Sequence, residues 1–276
     1  MVRLGAFLIG LFMAGWLMVS AGVTTYEMIT EPAVETVEHK FHKYPKAVSF
    51  AHDGLFGKFD NVQLQRGYKV YAEVCAACHS LNQVAFRNLA EIGYSEDEVK
   101  AIAKAAAVPS INPETGEPAT RPGIATDKLP SPYANETAAR AANNNALPPD
   151  LSLMTKARGN GSAYVYSLLT GYQNVPAALP KENRPGQGLH YNPYFANLNI
   201  AMAAPLASDD LVTYSDGTKA SKDQMAQDVS AFLVWTAEPE LEKRHQTGFV
   251  WLLFMIFATV LGYMSYRNIW AEKKGH

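Results

Sequence analysis

Cysteine is scarce in this sequence. Among 276 residues only Cys75 and Cys78 carry a thiol. A zinc site takes four ligands, and no second cysteine pair exists to complete one. Charge is scarce as well. Charged residues make up 18% of the chain and the net charge is only -2, so there is no basic field to hold nucleic acid. Two stretches, residues 4–23 and 248–266, contain no charged residue at all. Each is long enough to cross a bilayer as a helix, which takes roughly 20 residues. Apolar residues are plentiful, at 48%. That balance suits a globular domain with membrane segments added, and the length allows one large domain or two small ones.

The two cysteines form the motif Val74-Cys75-Ala76-Ala77-Cys78-His79. Two thiols three positions apart, with a histidine directly behind, read as a site of covalent c-type haem attachment. On a helical turn, positions i and i+3 face the same way, so both sulfurs can reach the vinyl groups on one edge of a porphyrin. His79 then lies where an imidazole nitrogen can bind the iron. A redox dithiol or half a zinc site are the competing readings.

The first apolar run follows Arg3. It exceeds the 7–15 residues usual for the core of a signal peptide, and only Val19-Ser20-Ala21 offers a weak cleavage signal. We read residues 1–26 as a retained anchor, with a cleaved signal as the alternative. Residues 27–59, with Pro32, Pro45, His39, His42 and His52, read as an extended linker whose histidines lie on the surface. A haem domain spans 60–240. Asp60 or Asn61 caps the helix that carries Leu64, Tyr68, Tyr71 and Cys75. Ser95 and Glu98 form a capping box. Residues 108–132 read as a long surface loop, Asn135 caps a short helix, and residues 143–150 are irregular. Ser162 starts a helix that ends at Gly171. Residues 172–204 are loop-like, Asp216-Gly217 signals a hairpin, and Ser221 with Gln224 makes a second capping box before a helix that Pro239 stops. A C-terminal anchor occupies 245–270, with Trp251, Tyr263, Tyr266 and Trp270 near its ends. Arg267, Lys273 and Lys274 put the C-terminus in the cytoplasm and Arg3 puts the N-terminus there too, so the haem domain falls on the periplasmic face.

A second iron ligand sets the potential and decides whether the iron is open to substrate. Candidates clear of the membrane are Met154, Met202, Met225, His39, His42, His52, His190 and His245. Met225 falls on the apolar stripe of a helix, where methionine is usually packing. Met202 lies in Asn199-Ile200-Ala201-Met202-Ala203-Ala204-Pro205, a loop of small apolar residues that leaves a thioether free to turn and keeps water out. Met202 leads, with the others still open.

From about residue 50 to the C-terminus, longer words add to the haem motif. They are Leu64-Gln65-Arg66-Gly67, Ala141-Ala142-Asn143-Asn144, Leu147-Pro148-Pro149-Asp150-Leu151-Ser152, Ala157-Arg158-Gly159, Tyr164-Val165-Tyr166-Ser167-Leu168-Leu169-Thr170-Gly171-Tyr172 and Tyr191-Asn192-Pro193-Tyr194-Phe195. Ile200-Ala201-Met202 and Glu238-Pro239 follow in order. In these words the chain resembles the cytochrome c1 family of alphaproteobacterial type, the haem subunit of the cytochrome bc1 complex (ubiquinol–cytochrome c reductase). The resemblance implies a mainly α fold: a class I cytochrome c-like haem domain with long loop insertions, a C-terminal transmembrane helix and an N-terminal one. It implies one haem c on Cys75 and Cys78, with His79 and Met202 as iron ligands. It also implies Arg158 and Tyr164 near the propionates, and Asn143 and Pro149 beside the haem edge. The partners implied are cytochrome b, a Rieske iron–sulfur protein and a soluble or membrane-anchored cytochrome c, in a dimeric complex of the bacterial inner membrane. Docking of a basic cytochrome c would use acidic surface, for which Glu96, Asp97 and Glu98, and Glu114 with Glu117, are candidates. A stand-alone membrane-tethered electron shuttle is the alternative, and a haem enzyme or gas sensor with one open axial position is the second.

Overall fold

A computed structural model describes residues 2–31, 35–271 and 273; Pro32 and Lys274, used above, lie outside the described residues. The chain forms two compact units, residues 1–41 and 42–276. The first holds α1 (Val2–Thr30) and the short α2 (Val37–Phe41). α1 has no buried residue and is long and apolar enough to cross a membrane. α2 interrupts the expected extended linker, and on it His39 is exposed and bonds Glu35 at 3.0 Å.

The second unit is mainly helical, with two small antiparallel pairs. α3 (Asn61–Val70) starts at Asp60, whose carboxylate accepts from the Val62 and Gln63 amides. It crosses α7 (Lys222–Ala237) very closely. At Gly67 any Cβ would collide with the Asp228 carbonyl and the Phe232 side chain, so the crossing needs glycine there. The same contact buries a charge pair. Asp228 is fully buried and takes the Arg66 guanidinium through both oxygens, at 2.9 and 3.2 Å, while Arg66 also holds Asp216 at 2.8 Å. Leu64, Tyr68, Tyr71, Phe86, Leu89, Met225, Val229, Phe232 and Trp235 form the centre of the core. Met225 is thus packing, as its helical stripe implied.

α4 (Glu96–Ala105) has the expected capping box at Ser95 and Glu98. Asn135 caps α5 (Glu136–Ala142) through the Ala138 amide. α6 (Gly161–Leu169) begins one residue before Ser162, behind Asn160 in the left-handed region. At Ser221 only half of the expected box forms. The hydroxyl caps the Gln224 amide, but the Gln224 side chain turns away to Asp228. The hairpin is elsewhere than its turn signal suggested. Asp216-Gly217 forms a turn without strands, because Asp216 is engaged by Thr218 and Arg66. The supposed surface loop instead holds β1 (Ala107–Ile111) paired with β2 (Pro118–Pro122), turning at Gly116. Arg121 locks its base by a two-pronged bond to Asp127, at 2.6 and 2.8 Å. β3 (His190–Tyr191) pairs with β4 (Asn199–Ile200).

The chain is mainly α, with few strands. α8 (Leu241–Ala271) is the second helix long and apolar enough to cross a membrane. Its first turns are fastened to the haem-motif domain: Leu241 is buried, the Glu242 carboxylate accepts from the Phe59 amide at 2.8 Å, and Arg244 holds Glu238 at 2.9 Å with Lys156 on the same carboxylate. His52 corrects the expectation of surface histidines. It is buried, stacked on Phe50 and tilted against Phe59, because the loop over residues 50–58 closes on itself.

Candidate functional site

α3 does not run straight into the cysteine motif. At residues 71–75 it widens into a π-turn, closed by the Ala76 amide on the Tyr71 carbonyl at 2.8 Å. Such turns re-aim side chains and concentrate at functional sites. The next turn is closed by the Cys78 and His79 amides, both on the Cys75 carbonyl at 3.1 and 2.9 Å. The Tyr71 hydroxyl donates to the His79 carbonyl at 3.1 Å and fixes the end of the motif. Both thiols are free.

Burial, with Cys78 adding, pushes the Cys75 thiol up to about 12. A nucleophilic redox cysteine needs a lowered thiol pKa, and Cys75 is shifted the other way. Among the described residues no group of three or more His, Cys, Asp or Glu side chains gathers as a metal cluster. The zinc reading therefore lacks ligands as well.

The His79 ring is held in one tautomer. Its Nδ1 lies 2.8 Å from the Pro149 carbonyl. A carbonyl only accepts, so Nδ1 carries the proton and Nε2 keeps its lone pair. Burial also holds the imidazole below its ordinary value, against the raising effects of the Pro149 bond and the Asp150 charge. The neutral ring is the form a metal needs. The Pro149 segment is stitched in place by its neighbour. Asp150 accepts from the Ser80 hydroxyl and the Asn82 amide, both at 2.8 Å, and from the Ser152 amide at 2.9 Å. The Leu151 amide returns to the Ser80 carbonyl, and the Gln83 amide goes to Ser152 Oγ.

The methionines separate cleanly. Met225 is fully buried and Met154 packs on the core. Met202 is half-buried just beyond β4, outside that cluster, with its carbonyl accepting from the Tyr172 hydroxyl at 2.9 Å. Tyr164 packs on the core from α6 and sits near enough to Tyr172 to act on it electrostatically. Asn143, at the end of α5, donates to Tyr133 and to the Ala139 carbonyl. Arg158 is exposed, and its guanidinium donates to the adjacent Ala157 carbonyl. Of the eight residues expected from sequence, direct bonding joins His79 with Pro149, while Met202 bonds Tyr172, outside the expected set. Asn143 and Arg158 bond elsewhere.

Sequence reasoning missed Tyr71, Asp150 and Tyr172 as supports. For Asp150 a signal existed: an aspartate after a proline pair and two before a serine can fold an Asx turn. The donor set fits a covalently attached haem: two free thiols one turn apart, an imidazole with its Nε2 lone pair available, and a thioether not consumed by the core.

The comparisons with known proteins agree. A family model described as the Cytochrome C1 family matches residues 50–273. The chain is 46% identical over 233 residues to cytochrome c1 of Rhodospirillum rubrum, covering 80% of this chain and 85% of that one. It is 43% identical over 269 residues to the cytochrome b-c1 complex catalytic subunit, mitochondrial, of Candida albicans, covering 95% and 88%. It is 42% identical over 261 residues to a cytochrome c1 heme protein, mitochondrial, of Arabidopsis thaliana, covering 93% and 82%. A match over most of the length means that the chain belongs to the cytochrome c1 family.

Proposed function

We propose that this chain is the membrane-anchored haem subunit of a cytochrome bc1 complex, carrying single electrons from a Rieske iron–sulfur protein to a cytochrome c during ubiquinol oxidation. The observation that carries the reading is the His79 imidazole with its proton committed to the Pro149 carbonyl, directly behind two free thiols. In this reading Cys75 and Cys78 hold one haem c through thioethers, and His79 Nε2 and the Met202 sulfur bind its iron. Bound there, haem supplies a one-electron couple. The chain's own residues do the rest. With His79 and Met202 both given to the iron, the group would supply electron transfer rather than a place for substrate. Methionine is a soft donor that favours the reduced iron and raises the potential. Val74, Cys75 and Ala76 pack against the apolar core and keep that edge dry. Tyr164 and the exposed Arg158, whose guanidinium now donates to the Ala157 carbonyl, would serve the propionates. Asn143 and Pro149 would border the haem edge.

α1 and α8 anchor the chain in a bacterial inner membrane, with the haem domain periplasmic and the C-terminus cytoplasmic, as the flanking basic residues imply. Cytochrome b is the neighbour in the membrane, in a dimeric complex. The name of the Candida albicans relative, a cytochrome b-c1 complex subunit, supports membership of a complex. For docking a basic cytochrome c the acidic groups divide. Lys100 sits on Glu96 and Asp97, and Glu98 is taken by its cap, so that cluster is partly neutralised. The hairpin tip with Glu114 and Glu117 is the better candidate.

The test is purification in mild detergent with subunit identification and a haem assay. The expected result is one covalent haem per chain, with cytochrome b and an iron–sulfur protein in the same peak. Haem that washes out in acid-acetone would overturn the reading. A haem protein that always purifies alone would leave a stand-alone tethered shuttle instead.

A further inference from the structure

We propose that Tyr172 is a positioning residue for Met202: its hydroxyl, bonded to the Met202 carbonyl, fixes the turn from which the thioether leaves the backbone. This rests on Met202 being an iron ligand. The need arises from the sequence around it. β4 ends at Ile200 and no helix follows until Lys222, so residues 201–205 have no ladder to hold them. Ala201, Ala203 and Ala204 offer no side chain that could brace the turn. Methionine itself has three rotatable bonds and a neutral, weakly donating sulfur. A ligand of that kind binds well only if its orientation is largely set beforehand.

Tyr172 is suited to set it because Tyr172 is itself fixed. It follows Gly171, where any Cβ would collide with the Tyr194 ring, the Ser167 carbonyl and the Asn192 side chain. Asn192 is fully buried and fully used. Its amide donates to the Leu198 carbonyl at 2.8 Å, its Nδ2 donates to the Leu168 carbonyl at 2.8 Å, and its Oδ1 accepts from the Tyr194 amide at 3.1 Å. Asn192 thus ties the end of α6 to the β3–β4 turn, and the Tyr172 hydroxyl, one residue beyond Gly171, holds the Met202 carbonyl from that frame.

The test uses detergent-solubilised holoprotein carrying Met202→Leu or Tyr172→Phe. It reads haem content, carbon monoxide binding by the reduced form and the sulfur-to-iron charge-transfer band of the oxidised form. Met202→Leu should abolish the band and bind carbon monoxide freely. Tyr172→Phe should keep full haem content, weaken the band and raise carbon monoxide affinity about tenfold, equivalent to ~1.4 kcal/mol, the scale of one hydrogen bond. Should Tyr172→Phe accumulate poorly, both signals are read on the haem-loaded fraction and normalised to its haem content. If Met202→Leu changes both signals while Tyr172→Phe behaves as wild type, the positioning role is overturned. If Met202→Leu itself changes nothing, the ligand assignment falls and takes the positioning role with it.

Discussion

The two candidate iron ligands are mounted in opposite ways. His79 is held at its ring by Pro149 and at its backbone by Tyr71, and Asp150 ties the segments on either side together. Met202 leaves a loop of small residues that hangs from one tyrosine hydroxyl. The difference follows the chemistry. An imidazole carries two functional nitrogens, so the protein can grip one and present the other. A thioether has a single donor atom and nothing else to grip, so only its backbone can be held. The histidine side is therefore a rigid seat, and the methionine side, in the proposed role, would be the adjustable one where potential and ligand access are tuned.

The largest expected effect breaks the rigid side outright. His79→Ala should abolish stable holoprotein, read as loss of covalent haem on a denaturing gel. Asp150→Ala keeps the ligand but strands the Ser80 hydroxyl and two backbone amides. At roughly 1 kcal/mol per bond it should cost about 3 kcal/mol, visible as a lower denaturant midpoint. On the adjustable side, Met202→Leu conserves volume and should cost under about 1.5 kcal/mol of stability, yet open the iron to carbon monoxide. A stability loss as large as that of Asp150→Ala would make the two sides alike and defeat the contrast.

Away from both, His52 sharpens the comparison through pH. Burial lowers its folded-state pKa from 6.5, against the pull of Asp53 and Glu238, and its Nε2 has no hydrogen bond. The unfolded chain takes the proton more readily, so stability should fall as pH drops through about 6.5 and level off below the folded value. His52→Phe should flatten that slope in denaturant titrations while leaving the iron spectrum unchanged. Smallest of all, Lys100→Ala removes an exposed pair and should stay within about 0.5 kcal/mol, which sets the baseline for the rest.

The motif, the two apolar helices and the caps at Asp60, Ser95 and Asn135 were legible because each depends on residues close in sequence. What escaped depends on distant pairings. Asp216 looked like a hairpin residue until Arg66, 150 positions away, claimed its carboxylate. His52 looked exposed because nothing local announces Phe59 closing over it. The supports of the site were hidden for the same reason: no spacing rule links Tyr172 to residue 202, or Asp150 to Ser80.

The mounting of α8 carries a consequence for how electrons travel. Its apolar span begins near Gly248, some seven residues beyond Leu241, which at 1.5 Å per residue makes a stalk of ~10 Å. Leu241, Glu242 and Arg244 bolt that stalk to the domain above it. In the proposed role, such a mount would make the domain a fixed relay tower, with any gap too wide for tunnelling left for the visiting carriers to close.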